Sequence, residues 1–310
     1  MIKWRRMIAD ARTAWAALPP NSRGIIWALL AAGFMSVMAV LIKFMSGQLS
    51  SFEVAWFRAS FGLVVILPFV WRAGGIAAIR TTRLSMHTLR GAAGALAMMT
   101  GFYGVAHLPL ALATSLSFAR PLFMVPLAII FLHEVVRARR WTATIIGFAG
   151  VVIAIRPTGS IEFAALFSLF SALMVTVAMI ITKIISNTER PTTMIFYAGV
   201  FGTIFTLIPA IVVWETPTLT QFGFLMAIGI VGTLGANGMI RALSAGEATL
   251  VGPIEYVRII FSALFGFLIF AEVPTVWTAA GSVVIVGSTI YITIREARLG
   301  KTKPPPTEPV

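Results

Sequence analysis

Apolar residues run along this chain in long, non-alternating blocks separated by short polar joints. That pattern is neither the period-2 alternation of a half-buried strand nor the narrow stripe of a soluble helix. Ten blocks lie near 24–45, 52–71, 88–106, 110–132, 141–156, 163–185, 192–213, 220–240, 249–270 and 276–294. Each has about the length a helix needs to cross a hydrocarbon core of about 30 Å. In lipid every backbone N–H and C=O must be bonded internally, which leaves helices or a closed barrel, and unbroken blocks predict helices. Most joints are short, so successive helices are antiparallel neighbours, and 72–87 is the one longer loop. Ahead of the blocks, Trp4, Met7, Ile8, Ala11, Trp15 and Leu18 share one helical face while Lys3, Arg5, Arg6 and Arg12 lie off it. Residues 1–23 are therefore expected to be an amphipathic segment on an anionic membrane surface rather than a cleaved signal.

Composition narrows the class further. A chain of 310 residues that is 58% hydrophobic and 11% charged, with a mean hydropathy of +0.93, has more apolar surface than one soluble core can hide. There is no cysteine, and His87, His107 and His133 show no metal-ligand spacing, so no metal or cofactor is expected. The formal charge of +13 would elsewhere suggest nucleic acid. Here the basic residues cluster in alternate joints and in the two tails, so orientation in a bilayer explains them and no nucleic-acid partner is expected. With ten spans, eighteen lysines and arginines fall on one side and Arg156 alone in the loops of the other, which predicts cytoplasmic termini in a bacterial-type inner membrane.

The chain also repeats itself. Phe118-Ala119-Arg120 is answered 138 residues later by Tyr256-Val257-Arg258, and Leu132-His133-Glu134-Val135-Val136 by Phe270-Ala271-Glu272-Val273-Pro274. Lys43 and Lys183, Pro68 and Pro209, and Trp141 and Trp277 follow at similar offsets. The loop after Glu134 is rich in arginine and the one after Glu272 has none, as expected if five-span copies enter the membrane from opposite faces. The expected fold is an all-α membrane protein of two inverted five-helix repeats, 24–156 and 157–295, with a cytoplasmic tail at 296–310.

These residues, with Phe52-Glu53-Val54 and Phe57-Arg58 after the first span, resemble the drug/metabolite transporter superfamily, specifically chains with two EamA-type domains. The resemblance spans about residues 24–295 and is specific for the family, not for a substrate. It implies a central substrate cavity lined largely by the third, fourth, eighth and ninth spans, with halves that rock to expose it alternately.

Candidate site residues follow from the cost of charge in lipid. A charged side chain at mid-membrane costs roughly 2.5–3.5 kcal/mol on insertion scales, so it faces a cavity or a partner. Arg120 and Arg258 are the deepest such charges. A guanidinium offers five donors in a planar fork and suits a carboxylate, phosphate or sulfonate; the alternative is a structural tie between helices. Glu255 lies three residues before Arg258 on one helical face and is either a proton-coupling group or a fixed ion-pair partner. Arg58 enters the second span and faces the cavity or another helix. Asn237, beside the strip Gly229, Gly232, Gly235 and Gly238, is a polar ligand or an interhelical tie. Lys43 and Glu53 flank the 46–51 turn and are expected to link the first two spans, as a gate or as structure. Pro121 and Pro126 predict a kink beside Arg120. Phe118 and Tyr256, two residues before each arginine, are expected to point away from them.

No Ser/His/Asp, cysteine or His-rich constellation supports an enzyme. The expected function is secondary-active transport of a small organic metabolite, anionic or zwitterionic such as an amino acid, coupled to protons or a counter-solute. A structural or assembly membrane protein and a passive channel are the alternatives, and monomer or homodimer stays open.

Overall fold

The computed structural model describes residues 18–132, 138–155, 163–186, 188–246 and 252–300, and all regular structure among them is helical. The helices are α1 (Pro20–Met45), α2 (Ser51–Arg72), α3 (Leu84–His107), α4 (Leu110–Ser117), α5 (Arg120–Leu132), α6 (Ala138–Ile155), α7 (Phe163–Ile185), α8 (Pro191–Val212), α9 (Leu219–Ala245), α10 (Val257–Phe270) and α11 (Val276–Gly300). Short 3-10 turns at Gly75–Ile79 and Gly252–Tyr256 precede α3 and α10. Seven segments are long and apolar enough to cross a membrane: α1, α2, Leu110–Leu132, α7, α8, α9 and Pro253–Phe270. Trp141–Ile155 and Val276–Ile292 are shorter apolar helices. The amphipathic pattern at the N-terminus falls mostly at residues 1–17, outside the described residues, as do His133 and Glu134.

Local sequence sets the helix ends. Proline occupies the first position of α1 and of α8, where its missing N–H is not needed. Gly47, with φ of 81°, turns the chain between α1 and α2, and the Ser50 hydroxyl then accepts the Phe52 N–H. Thr218 and Gln221 form a reciprocal capping box at the start of α9. At the end of α10, Ala271 adopts a left-handed conformation and the Glu272 N–H returns to the Gly266 carbonyl.

The packing has the symmetry that the repeat requires. The most extensive pairings are α1 with α9, α3 with α7, α6 with α11 and α2 with α8. Exchanging the halves maps α1–α9 onto α7–α3 and leaves the other two pairings unchanged. The halves are also inverted. Lys43 near the C-terminal end of α1 meets the Leu108 carbonyl just past α3, whereas Thr182 near the C-terminal end of α7 meets Arg90 near the start of α3. Equivalent helices α1 and α7 therefore run in opposite directions.

Small residues allow this close approach. On α9, a Cβ added to Gly229 would lie 2.6 Å from Phe61, and one on Gly235 or Gly238 would press on Met35 or Ala31 of α1. On α3, Gly101 and Gly104 face Ser171 and Ser168 of α7. The outward surface is apolar instead: Val64, Phe69, Ile208, Ile260, Leu268 and Val283 are all exposed.

The glycine that lies closest to the backbone of another helix joins α11 to α6. A Cβ on Gly281 would sit 2.5–2.6 Å from Ala154 backbone and side-chain atoms, whereas one on Gly287 would meet nothing within 4 Å. Gly281→Leu is expected to destabilise the protein by roughly 1–3 kcal/mol through overpacking. In detergent, Gly281→Leu should lower the thermal midpoint while Gly287→Ala leaves it unchanged.

Candidate functional site

The site begins with a break in a helix. The apolar block 110–132 is continuous in sequence, yet Phe118 and Ala119 form a turn between α4 and α5. Pro121 has no N–H for the Ser117 carbonyl one turn back. That carbonyl accepts the Arg120 Nε–H instead, at 2.8 Å. The proline thus creates the acceptor that holds the arginine, and the predicted kink is a full break placed before the charge.

The two halves then cross. Arg120 donates from Nη2 to Glu255 Oε1 at 3.2 Å, and Arg258 donates from Nη2 to Ser117 Oγ at 3.0 Å. At the 138-residue offset, Arg120 corresponds to Arg258 and Ser117 to Glu255, so each arginine reaches the equivalent residue of the other copy. Arg258 Nη1 also lies 3.7 Å from Glu255 Oε1, the same-helix pairing expected from their spacing. The Phe118 and Tyr256 rings, equivalent under the same offset, meet at 4.7 Å between centroids. Thr176 of α7 donates to the Arg120 carbonyl at 3.2 Å.

Beside this cluster lies a cavity of about 160 Å³. Its walls include Met35 and Met38 of α1, Ala97 and Met98 of α3, Ser117 of α4, Ser171 of α7 and Arg258 of α10. Three groups thus meet beside this cavity, two guanidinium cations and one carboxylate, with a formal net charge of +1. Such a site attracts an anion, and its carboxylate can also receive an ammonium group.

Several expectations need correction. Among the described residues, none lining this cavity comes from α9. The glycine face of α9 is packed onto α1, which places Met35 and Met38 between α9 and the cavity. Phe118 does not point away from the arginines: its ring centroid is 5.3 Å from the Arg258 guanidinium and 6.0 Å from that of Arg120. The uniform helical spacing behind that expectation fails at the Phe118–Ala119 turn. Asn237 is exposed and accepts from Arg241 Nε at 2.8 Å within α9, because the Gly235 and Gly238 face is the one buried.

Lys43 and Glu53 do not pair. Lys43 pairs with Glu272 and donates to the Leu108 carbonyl at 2.6 Å, and Glu272 Oε2 accepts the Leu110 N–H at 2.8 Å. These contacts join α1, the α3–α4 joint and the end of α10. Glu53 is fully buried and faces the α8–α9 joint, where the Glu215 N–H approaches its Oε2 at 3.4 Å. Residues close in sequence across the 46–51 turn thus point to different neighbours. Under the repeat, Lys43 and Glu272 correspond to Lys183 and Glu134, and Glu134 lies outside the described residues. Arg58 rests against Met38 and Gly232, with no hydrogen-bond or ion-pair partner among the described residues.

Sequence inspection missed Ser117 as an arginine acceptor, and Glu272 as the partner of Lys43. The 138-residue offset itself pointed to both, since Ser117 aligns with Glu255 and Glu272 closes the repeated exit motif. His87 was considered only as a metal ligand; its Nε2 lies 3.6 Å from Glu189 Oε2, and Thr81 donates to Glu189 Oε1 at 2.6 Å.

With this geometry in place, comparison with known proteins is direct. The EamA-like transporter family matches residues 22–156 and 162–294. The chain belongs to that family. It is therefore a multi-pass membrane transporter built from two repeats, and not an enzyme. It is 34% identical over 284 residues to the S-adenosylmethionine uptake transporter of Rickettsia bellii, covering 91% of this chain and 97% of that one. It is 32% identical over 276 residues to the pseudopaline exporter CntI of Pseudomonas aeruginosa, covering 87% and 95%. It is 28% identical over 279 residues to a riboflavin transporter of Rhizobium johnstonii, covering 89% and 92%. A solved crystal structure, 17% identical, aligns with a TM-score of 0.59 over 90% of this chain and 98% of its own and shares the fold.

The Lys43–Glu272 contact offers a test of the site's architecture. Breaking a largely buried pair by removing one partner costs roughly 3–5 kcal/mol, and removing both costs less. Lys43→Met should lower the thermal midpoint in detergent, and Lys43→Met combined with Glu272→Met should recover part of the loss. Additive losses in that double-mutant cycle would show that the two side chains are not coupled.

Proposed function

We propose that this chain is a ten-span secondary transporter of a bacterial inner membrane, with both termini cytoplasmic, that moves a small metabolite carrying a carboxylate by alternating access. The ten spans are α1, α2, α3, α4 with α5, α6, α7, α8, α9, the 3-10 turn with α10, and α11. Five-span repeats occupy 24–156 and 157–295. On this topology Lys43, Leu108 and Glu272 lie at the outer end, and His87, Arg90 and Glu189 at the inner end.

The observation that carries the substrate class is the arrangement of Arg120, Arg258 and Glu255 beside the central cavity. A substrate carboxylate exchanges with Glu255 or Ser117 for guanidinium N–H groups. A substrate ammonium, where there is one, is received by Glu255. An amino acid or a metabolite with an amino acid end meets both requirements, and a purely anionic solute meets the first. Membership of a family whose relatives include named carriers of S-adenosylmethionine and pseudopaline supports this reading. Those relatives include both an uptake system and an exporter, so they do not set a direction.

Proteoliposome uptake of S-adenosylmethionine, free amino acids and riboflavin tests the proposal. Solutes with an amino acid end are expected to be taken up with acceleration by unlabelled solute on the far side, the mark of a carrier rather than a channel. Arg258→Gln should reduce that uptake about 10–100-fold, the loss of one charge-assisted contact of about 1.5–3 kcal/mol. Transport of riboflavin alone, unaffected by Arg258→Gln, overturns the substrate class. With an imposed proton gradient, Glu255→Gln is expected to abolish gradient dependence; unchanged dependence would remove Glu255 from coupling.

A further inference from the structure

Two arginines outside the central cluster occupy equivalent corners of the inverted repeat. Arg58, on α2, sits where α2 meets the α1–α9 seam, against Met38 and Gly232. Arg90, on α3, sits at the α3–α7 seam where α8 joins it. Its Nε donates to Thr182 of α7 at 2.6 Å and its Nη1 to the Met194 carbonyl of α8 at 2.7 Å. Exchange of the halves maps α1, α2 and α9 onto α7, α8 and α3. Arg58 lies one to two turns from the outer start of α2, and Arg90 lies at a similar depth from the inner start of α3. The two arginines come from non-equivalent helices, so the offset between the repeats does not align them. Only the packing shows that they occupy equivalent corners.

Their surroundings differ in an informative way. Arg90 borders a second cavity, of about 300 Å³, along the α3–α7 seam. This cavity shares Ala97 and Met98 with the central one, so the two adjoin. Two of the five guanidinium N–H groups of Arg90 are engaged by Thr182 and Met194, which leaves donors for a ligand. At the opposite corner the seam is packed: a Cβ on Gly232 would fall 2.5 Å from Arg58 Nε and 2.6 Å from Met38 Sδ. Arg58 thus carries five donors in an apolar setting without a protein partner among the described residues. Such a cation is costly unless another state of the protein supplies an anion.

We propose that Arg90 and Arg58 are anion relay subsites on the inner and outer sides of the central site, each used when its own seam opens. The inference rests on the transport reading above and adds the route. In this structure a cavity runs along the α3–α7 seam to Arg90. When the halves rock, the α1–α9 seam opens, Gly232 and Met38 separate, and Arg58 faces the outer solution. A substrate carboxylate passes between the central guanidinium groups and whichever corner arginine is uncovered. Met38, which with Arg58 flanks Gly232 and also lines the central cavity, is the shared wall on the outer side as Met98 is on the inner.

The absence of native cysteine allows a test that needs no substrate. A Cβ on Gly94, in the Arg90 cavity, would meet nothing within 4 Å, so Gly94→Cys is accommodated. Gly94→Cys should react faster from the inner side with a negatively charged methanethiosulfonate than with a positively charged one, by about tenfold, and Arg90→Gln should erase that preference. Met38→Cys should show the same preference for outer reagent, dependent on Arg58. Equal rates for both reagents at both positions overturn the proposal. Where S-adenosylmethionine is transported, Arg90→Gln should raise KM about tenfold measured from the inner face only, and Arg58→Gln from the outer face only, with kcat retained. Arg→Lys variants, keeping the charge, should recover part of each effect. Equal shifts from both faces would mark the two arginines as structural. Loss of S-adenosylmethionine transport together with intact reagent preferences would reject the substrate class and leave the relay standing.

Discussion

The arrangement at the centre of this protein depends on two guanidinium groups that reach across from one half to the other. Arg120 donates to Glu255 and Arg258 to Ser117, each acceptor belonging to the other copy, while each arginine also has a neighbour in its own half. In an apolar surrounding an unpaired charge is far costlier than at a surface, so the crossing couples the halves at one point. The backbone is adapted to it. Pro121 breaks the fourth apolar segment, and the carbonyl it releases becomes an acceptor for the same arginine. The equivalent place in the second half is a 3-10 turn, Gly252–Tyr256, which contains Pro253 and Glu255. Both copies thus use irregular backbone where other helices pack on it.

Around that fixed point the seams are built to differ. The α1–α9 seam is lined by glycine against Ala31, Met35 and Met38, a contact between small or flexible surfaces. The α3–α7 seam also has glycines, but Gly94 faces open space and a cavity follows it toward Arg90. Where α1 and α3 end, the Lys43–Glu272 pair and two backbone groups tie α1 to the α3–α4 joint and to the end of α10. The two equivalent seams thus differ in packing where Gly232 and Gly94 stand, one filled and one bordering a cavity.

Much of this was legible in the sequence because repetition and burial leave marks that survive folding. The 138-residue offset identified Arg120 with Arg258 and implied opposite insertion, and the contacts of Lys43 and Thr182 agree. Single-residue orientation was less legible. Phe118 was placed by a 100° step that does not hold across a turn. Lys43 and Glu53 are neighbours along the chain, but Gly47 turns it so that they face different helices. Asn237 looked like a ligand because it sits beside glycines, yet those glycines define the face that α1 covers. Sequence carries the period of a helix well and its rotation against unseen partners poorly.

Under the proposed carboxylate reading, the asymmetry between Ser117 and Glu255 bears on what solute such a centre would hold. Glutamate at both positions would balance both arginines, and a solute carboxylate would gain little by displacing an equal one. Serine at both would leave two adjacent guanidinium cations with neutral acceptors, a doubly charged centre costly to maintain between substrates. One of each leaves a single excess positive charge, with Glu255 between the arginines and Ser117 able to release Arg258 at small cost, since its hydroxyl also bonds the Thr114 carbonyl at 2.6 Å. On the proposed reading, the half with serine in place of a carboxylate is therefore where an incoming carboxylate would be received.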